Sequence, residues 1–252
     1  MSPMACEKCG GTGWRVIERE GISAAEQCDC ATTEAPRDLE GGARIPPLYR
    51  NAALESFILP AENPGAARAL EAVMLKVSGY AREFPLAPKP GLLFIGPTGT
   101  GKTHLAIAVL RRLMARGFEG AYYDYINLLE RVRSGYDSDA APEDREAYQT
   151  CLDVPVLLLD DLGSHRVMGW IEDTVTAIVT HRCNNQKALI ATTNLVDPDA
   201  GDDVVRRIPG MAHPEYRTTL GERIGERARS RLFEMCEVVR MPAVGDYRLK
   251  RK

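Results

Sequence analysis

Four apolar residues, Leu92-Leu93-Phe94-Ile95, run directly into Gly96-Pro97-Thr98-Gly99-Thr100-Gly101-Lys102-Thr103. The second string matches G-x-x-x-x-G-K-S/T without a mismatch, and its chemistry requires a buried strand before it and a helix after it. The glycines let the backbone curl so that its N–H groups point at phosphate oxygens, at the positive end of the following helix. Lys102 reaches the β- and γ-phosphates as a point charge, the Thr103 hydroxyl can ligate Mg²⁺, and His104 continues the cradle. Leu105, Val109 and Leu113, at i, i+4 and i+8, predict an amphipathic helix that Gly117 stops. A Gly/Thr-rich surface turn is the plain alternative. Strand, loop and helix in succession point instead to a site for a nucleoside triphosphate with Mg²⁺ in an α/β fold.

A second string narrows the reading. Val156-Leu157-Leu158-Leu159 is wholly apolar and ends in Asp160-Asp161, as a central strand of a parallel sheet does where its C-terminal edge meets a ligand. Asp160 is placed to hold Mg²⁺ and its water shell, and Asp161 to polarise the water that attacks the γ-phosphate. Two solvated acids at a strand end are the bland reading, which weakens beside a complete phosphate loop. Ala188–Thr193 is another buried run, and Asn194 at its tip can position the attacking water or simply cap a turn. Ala121–Tyr125 reads as a further strand whose tyrosines pack rather than stack on bases. Helices are expected from Asn63-Pro64 through Val77, around Leu128–Val132, over Glu143–Cys151, and from Trp170 to Val179. Cys236–Met241 is the expected fifth strand.

The 252 residues, 44% hydrophobic, suffice for one core and a small appendage. A formal net charge of −3 rules out general electrostatic attraction to nucleic acid, although the first forty residues are net acidic and the last thirty-six net basic. The sequence contains no apolar run long enough for a membrane span, and Met1–Glu7 lacks the pattern of a secretory signal. With a nucleotide site present, the cytoplasm is expected, where the seven cysteines are thiols or metal ligands. Cys6-x-x-Cys9 and Cys28-x-Cys30 make two close pairs, which suit tetrahedral Zn²⁺, with a short hairpin between them. A disordered tail with incidental thiols is the alternative. Cys151, Cys183 and Cys236 fall in apolar or helical contexts and read as packing. Residues 31–42 read as a connector, and 44–50 as a proline-stiffened strap.

The strings GLLFIGPTGTGKTHLA, VLLLDDLG, ATTNL and GERARSRLFEMCEVV occur in this order over roughly residues 45–248. They resemble the AAA+ ATPases, and within them the DnaC/DnaI-type replicative helicase loaders and the IstB-type transposition helpers. The resemblance implies an α/β P-loop AAA+ core with a five-stranded parallel sheet and no C-terminal lid, because only Pro242–Lys252 follow the last strand. It implies that Gly96–Thr103 is Walker A, Asp160 and Asp161 are Walker B, and Asn194 is sensor 1. Arg231 matches the arginine finger and Arg227 its companion four residues earlier, although Gly221-Glu222-Arg223 repeats part of that motif. It also implies that the strap can lie near the nucleotide base.

The expected organisation is a zinc-bearing module over 1–40 that docks on a partner, a linker over 41–64, and an ATPase domain over 65–252. The implied function is an ATP-controlled oligomer that places a hexameric replicative helicase on single-stranded DNA. A transposition helper that grips double-stranded target DNA and a transposase is the competitor, disfavoured by the cysteine module. A small-molecule kinase would need a substrate lid and has no use for Arg227 and Arg231. Residues 197–214 form a long polar loop for DNA or a partner.

Overall fold

The computed structural model describes residues 14–19, 22–27, 35–135, 141–165, 169–206 and 214–247, with side chains from residue 39 onward except at 143 and 206. Strands β1 (Trp14–Arg19) and β2 (Ile22–Gln27) form the antiparallel hairpin expected between the cysteine pairs, with Trp14 opposite Gln27. Cys6, Cys9, Cys28 and Cys30 themselves lie outside the described residues.

The segment read as a connector is corrected in part. Ala35–Gly42 is a helix, α1, despite its poor helical composition. Tertiary contacts hold its end: Glu40 pairs with Arg111 at 3.1 Å, and Leu39 packs on the core. The carbonyl of Ala43 then accepts the N–H of Tyr122 at 2.8 Å, so the strap caps the outer edge of the sheet.

That sheet has five parallel strands in the order β4-β5-β6-β3-β9, namely Gly120–Asp124, Val156–Asp160, Ala188–Thr193, Gly91–Ile95 and Cys236–Arg240. Helices α2 (Pro64–Glu83) and α3 (Lys102–Met114) cover one face. Helices α4 (Tyr125–Ser134), α5 (Pro142–Asp153), α6 (Gly169–Asn184), α7 (Leu220–Ile224) and α8 (Glu226–Met235) cover the other. Strand alternation divides the core between these layers. Leu92, Phe94, Tyr122, Leu158 and Ile190 face α2 and α3, whereas Leu93, Ile95, Tyr123, Leu157, Leu159 and Ala191 face the larger layer. Burial on both faces is why β3, β5 and β6 read as unbroken apolar runs.

Local signals set the helix starts. Asn63 Oδ1 accepts the Ala66 N–H at 3.0 Å with Pro64 in the first turn. Asp124 Oδ1 accepts the Asn127 N–H at 3.1 Å, so Tyr125 opens α4 instead of ending the strand. The 197–214 segment is partly described: Val205–Arg206 (β7) pairs with Glu215–Tyr216 (β8) as a two-stranded ribbon. Among the described residues, no helix is long and apolar enough to cross a membrane.

Candidate active site

The parallel sheet brings the C-terminal ends of β3, β5 and β6 together, which is where an open α/β fold presents its ligands. The phosphate loop leaves β3 at Gly96 and enters α3 at Lys102. Two of its glycines are required by position. Gly99 (φ 78°) adopts a left-handed backbone, and a Cβ there would collide with the Asp246 carboxylate. Gly101 (φ 93°) ends the loop where a Cβ would lie 2.5 Å from the Phe57 ring. Thr100 Oγ1 donates to the Pro97 carbonyl at 2.9 Å and braces the turn.

Lys102 is almost completely buried, and its ammonium donates to the carbonyls of Gly96 (2.9 Å) and Pro97 (2.8 Å) and to Asn194 Oδ1 (2.6 Å). Asn194 Nδ2 in turn donates to Asp161 Oδ1 at 2.6 Å. The amide orientation follows from its neighbours: its oxygen must face the ammonium and its nitrogen the carboxylate. One asparagine thus bridges the loop lysine and the second acid of β5.

The two acids diverge. Asp160 shares a face with Leu158 and points at α3, where Thr103 Oγ1 donates to its Oδ1 at 2.9 Å. Asp161 turns away through a left-handed backbone (φ 57°), which aspartate tolerates better than most residues. Partial burial, then the Asp160 and Asp124 charges, raise its pKa above the ordinary carboxylate value, while Lys102 and Asn194 oppose the rise. A carboxylate moved in that direction is a better proton acceptor.

Oxygen donors dominate the set around Asp160 and Thr103, and that chemistry fits Mg²⁺, a hard cation that takes oxygen ligands. The loop backbone and Lys102 fit a polyphosphate. His104 sits at the rim, with Nε2 3.0 Å from the Ala53 carbonyl and its ring tilted against Phe57 at 5.8 Å. Ala53 and Phe57, in the segment that follows the strap, thereby meet the loop, and the chain after β9 crosses from the other side. Tyr247 N–H donates to the Gly99 carbonyl at 3.0 Å, and its hydroxyl to Ile58 O at 2.9 Å.

Arg227 and Arg231 take no part in this network. Both are exposed on α8, where Arg231 Nη1 pairs with Glu234 of its own helix at 2.7 Å. Arg229, between them, turns inward to pair with the fully buried Asp197 at 2.6 Å. Arg223 donates to His165 O at 3.2 Å, fastening α7 to the loop that follows Asp161.

Sequence reasoning missed Thr192 and Tyr122. Thr192 stands two residues before Asn194, hence on the same side of the strand. That spacing was the available signal. Among the described residues, no three of His, Cys, Asp and Glu gather as a metal-binding group, so the zinc reading stays with the four cysteines outside them.

Three comparisons bear on this site. The family model described as IstB-like ATP binding protein matches residues 86–198. The replicative helicase loader DnaC of Escherichia coli (strain K12) is 24% identical over 150 residues, covering 60% of this chain and 58% of that protein. A putative ATP-binding protein of insertion sequence IS5376 from Geobacillus stearothermophilus is 33% identical over 78 residues, 30% of this chain and 29% of that one. Among solved structures, the DnaC helicase loader superposes with a TM-score of 0.62 at 29% identity, covering 78% of this chain and all of that chain. The chain therefore spans 58% of the length of its curated DnaC relative.

Proposed function

With an IstB-like ATP-binding domain, homologous to the DnaC-type helicase loaders, as the premise, we propose that this chain is an AAA+ ATPase that loads a hexameric replicative helicase onto single-stranded DNA. One observation carries the enzymatic part: Lys102, Asn194 and Asp161 are already linked in a line beside the Thr103–Asp160 pair. The backbone N–H groups of residues 98–103 and the Lys102 ammonium hold the triphosphate of ATP. Thr103 and Asp160 would hold Mg²⁺, which supplies charge neutralisation for the phosphates. Lys102 exchanges Asn194 for phosphate oxygen, and the freed amide, together with Asp161, orients the attacking water. Asp161 accepts that water's proton.

Replacing Asp161 by asparagine is expected to lower turnover at least about a hundredfold, as loss of a general base does, with nucleotide affinity retained. The same substitution is expected to raise the thermal midpoint at pH 7. The folded-state pKa of Asp161 is raised, so its favourable contribution exists below the ordinary carboxylate value of 3.8 and is lost as pH climbs through the folded value. At neutral pH the ionised carboxylate is a net cost that asparagine removes. Thermal scans should therefore separate the two proteins at pH 7 and bring them together near pH 3. A lower midpoint for the variant at pH 7 would contradict the assignment.

Assembly follows from the arginines on α8. Arg231, with Arg227 beside it, reaches the γ-phosphate held by a neighbouring copy, so that ATP sets the relation between subunits and hydrolysis releases it. Basic side chains of that assembly track single-stranded DNA. The domain bounds 1–40, 41–64 and 65–252 belong to the same proposal. The N-terminal module binds zinc through Cys6, Cys9, Cys28 and Cys30 and docks on the helicase. The hairpin supports this, because the strand ends leading to the two pairs, Trp14 and Gln27, lie opposite each other.

The match to IstB-like proteins favours one second reading, a transposition helper. The discriminating experiment uses the full chain, tagged, as bait in lysate of its source cell with and without ATP. Recovery of a hexameric helicase, lost in the Cys6→Ser/Cys9→Ser double variant, is the expected result. Recovery of a transposase together with duplex DNA would replace the loader with the second reading.

A further inference from the structure

Asp160 is held by more than the phosphate loop. Its carboxylate accepts from three hydroxyl groups: Thr103 and Thr192 on Oδ1 at 2.9 and 2.6 Å, and Tyr122 on Oδ2 at 3.2 Å. The sheet explains the convergence. Strands β4, β5 and β6 are adjacent, with Tyr122 paired to Leu158 and Leu158 to Ile190. Moving two residues along β5 and β6 sets Asp160 beside Thr192 on the face toward α3. The long Tyr122 side chain reaches along its strand to the second oxygen. Thr192 and Tyr122 are both buried.

The Thr192 hydroxyl has a second task. It accepts the N–H of Asp161 at 2.9 Å, and the Thr192 carbonyl accepts the N–H of Leu162 at 2.7 Å. A single side chain on β6 therefore fixes the direction of the first acid and the left-handed turn that aims the second.

We propose that Thr192 and Tyr122 are positioning residues for the metal-bearing carboxylate, fixing Asp160 toward Mg²⁺ while Thr192 also sets the Asp161 backbone. The inference rests on the ATPase reading given above. Thr103 is the one of the three that also belongs to the phosphate loop and is placed to ligate the cation itself. Its hydroxyl can offer a lone pair to a cation while still donating its proton to Asp160 Oδ1, whereas Thr192 and Tyr122 hold that carboxylate from the neighbouring strands. Hydrogen-bond partners of a ligating carboxylate orient it and commonly govern metal affinity by about 10–100-fold. Without them the carboxylate rotates, and part of its affinity is spent on ordering it.

The test compares the wild-type chain with Thr192→Val, Tyr122→Phe and Thr192→Ser. Thr192→Val keeps shape and removes the hydroxyl, Tyr122→Phe removes the other donor, and Thr192→Ser restores a hydroxyl. Binding of a fluorescent ADP is titrated with MgCl2, and Mn²⁺ binding to the ADP complex is followed by electron paramagnetic resonance. Circular dichroism confirms folding. All four proteins should bind ADP equally in EDTA. The Mg²⁺ and Mn²⁺ half-saturation points should rise about tenfold in Thr192→Val and Tyr122→Phe and return toward wild type in Thr192→Ser. Unchanged metal half-saturation, with only a lowered thermal midpoint, would reduce both residues to a structural role and overturn the inference. A wild-type chain that binds no ADP would overturn the ATPase reading itself, an outcome separable from the first because it precedes any variant.

Discussion

Replacing Arg231 by alanine is expected to lower ATP hydrolysis by about 10³-fold or more in the assembled protein, the scale on which an arginine supplied to a phosphoryl-transfer site acts. Nucleotide binding by the isolated chain should stay unchanged, because Arg231 touches none of the loop residues. The side chain is half-exposed and pairs with Glu234 on its own helix, with Cys183 of α6 as a further contact. A solvent-screened pair of this kind contributes little to stability, so release toward a neighbour's phosphate meets small resistance. The thermal midpoint should therefore be near that of the wild-type chain. Arg229→Ala provides the contrast. Its guanidinium is tied to buried Asp197 and to Asp199, so its loss should damage folding before chemistry. A mixing experiment is the sharpest check. Arg231→Ala keeps its own cradle, whereas Asp161→Asn keeps its arginine. Equal amounts of the two inactive proteins should regain part of the activity at their mixed interfaces. No recovery on mixing, or full hydrolysis by Arg231→Ala alone, would remove the shared-site mechanism.

How far the sequence discloses this arrangement depends on whether a function is confined to a contiguous string. The phosphate loop is so confined, since Gly96, Gly99, Gly101, Lys102 and Thr103 act through backbone curvature and one helix start. The apolar run ending in Asp160-Asp161 is similarly direct, because burial on both faces leaves no other composition for a central strand. Tyr122 was not legible, since its role exists only through the strand order β4-β5-β6, which no single string encodes, and Thr192 left only its two-residue spacing from Asn194 as a signal. The tyrosines of β4 were expected to pack, and Tyr122 does pack, yet its hydroxyl also reaches Asp160. Tyr123 has its own partner, accepting from Arg44 at 3.1 Å. Helix α1 was missed for a related reason: its composition opposes helix, and contacts to α3 and the edge strand outweigh propensity. On α8 the sequence shows three arginines at alternate positions, but only the fold shows that Arg229 is consumed internally while Arg227 and Arg231 face outward.

The other large effect concerns stability, and it resides in Arg182. This side chain of α6 is wholly buried, and burial brings its pKa down to about 10, leaving it charged at pH 7. Its Nη1 donates to Cys151 O at 2.8 Å, and Nη2 to Val154 O at 2.9 Å, Pro155 O at 3.1 Å and Ala188 O at 2.5 Å. These four carbonyls belong to the end of α5, the turn into β5, and the first residue of β6. One guanidinium thus joins a helix to the starts of the two strands whose far ends carry Asp160, Thr192 and Asn194. Truncation to alanine opens a cavity and strands several carbonyls without a donor, each costing about 1–3 kcal/mol when dry. Partial relaxation and water entry limit the sum to about 3–5 kcal/mol, a fall of roughly 10 °C in thermal midpoint for a domain of this size. Arg182→Met separates the causes, because it fills most of the space and restores no donor. Urea titration should place Arg182→Met below the wild-type midpoint and Arg182→Ala lower still. If methionine matched arginine, the carbonyls would have found other partners and the guanidinium would be packing alone. If it falls as expected, the variant should also weaken Mg²⁺-dependent ADP binding under conditions where it remains folded, because slippage at the strand starts is carried along β5 and β6 to the carboxylate they position.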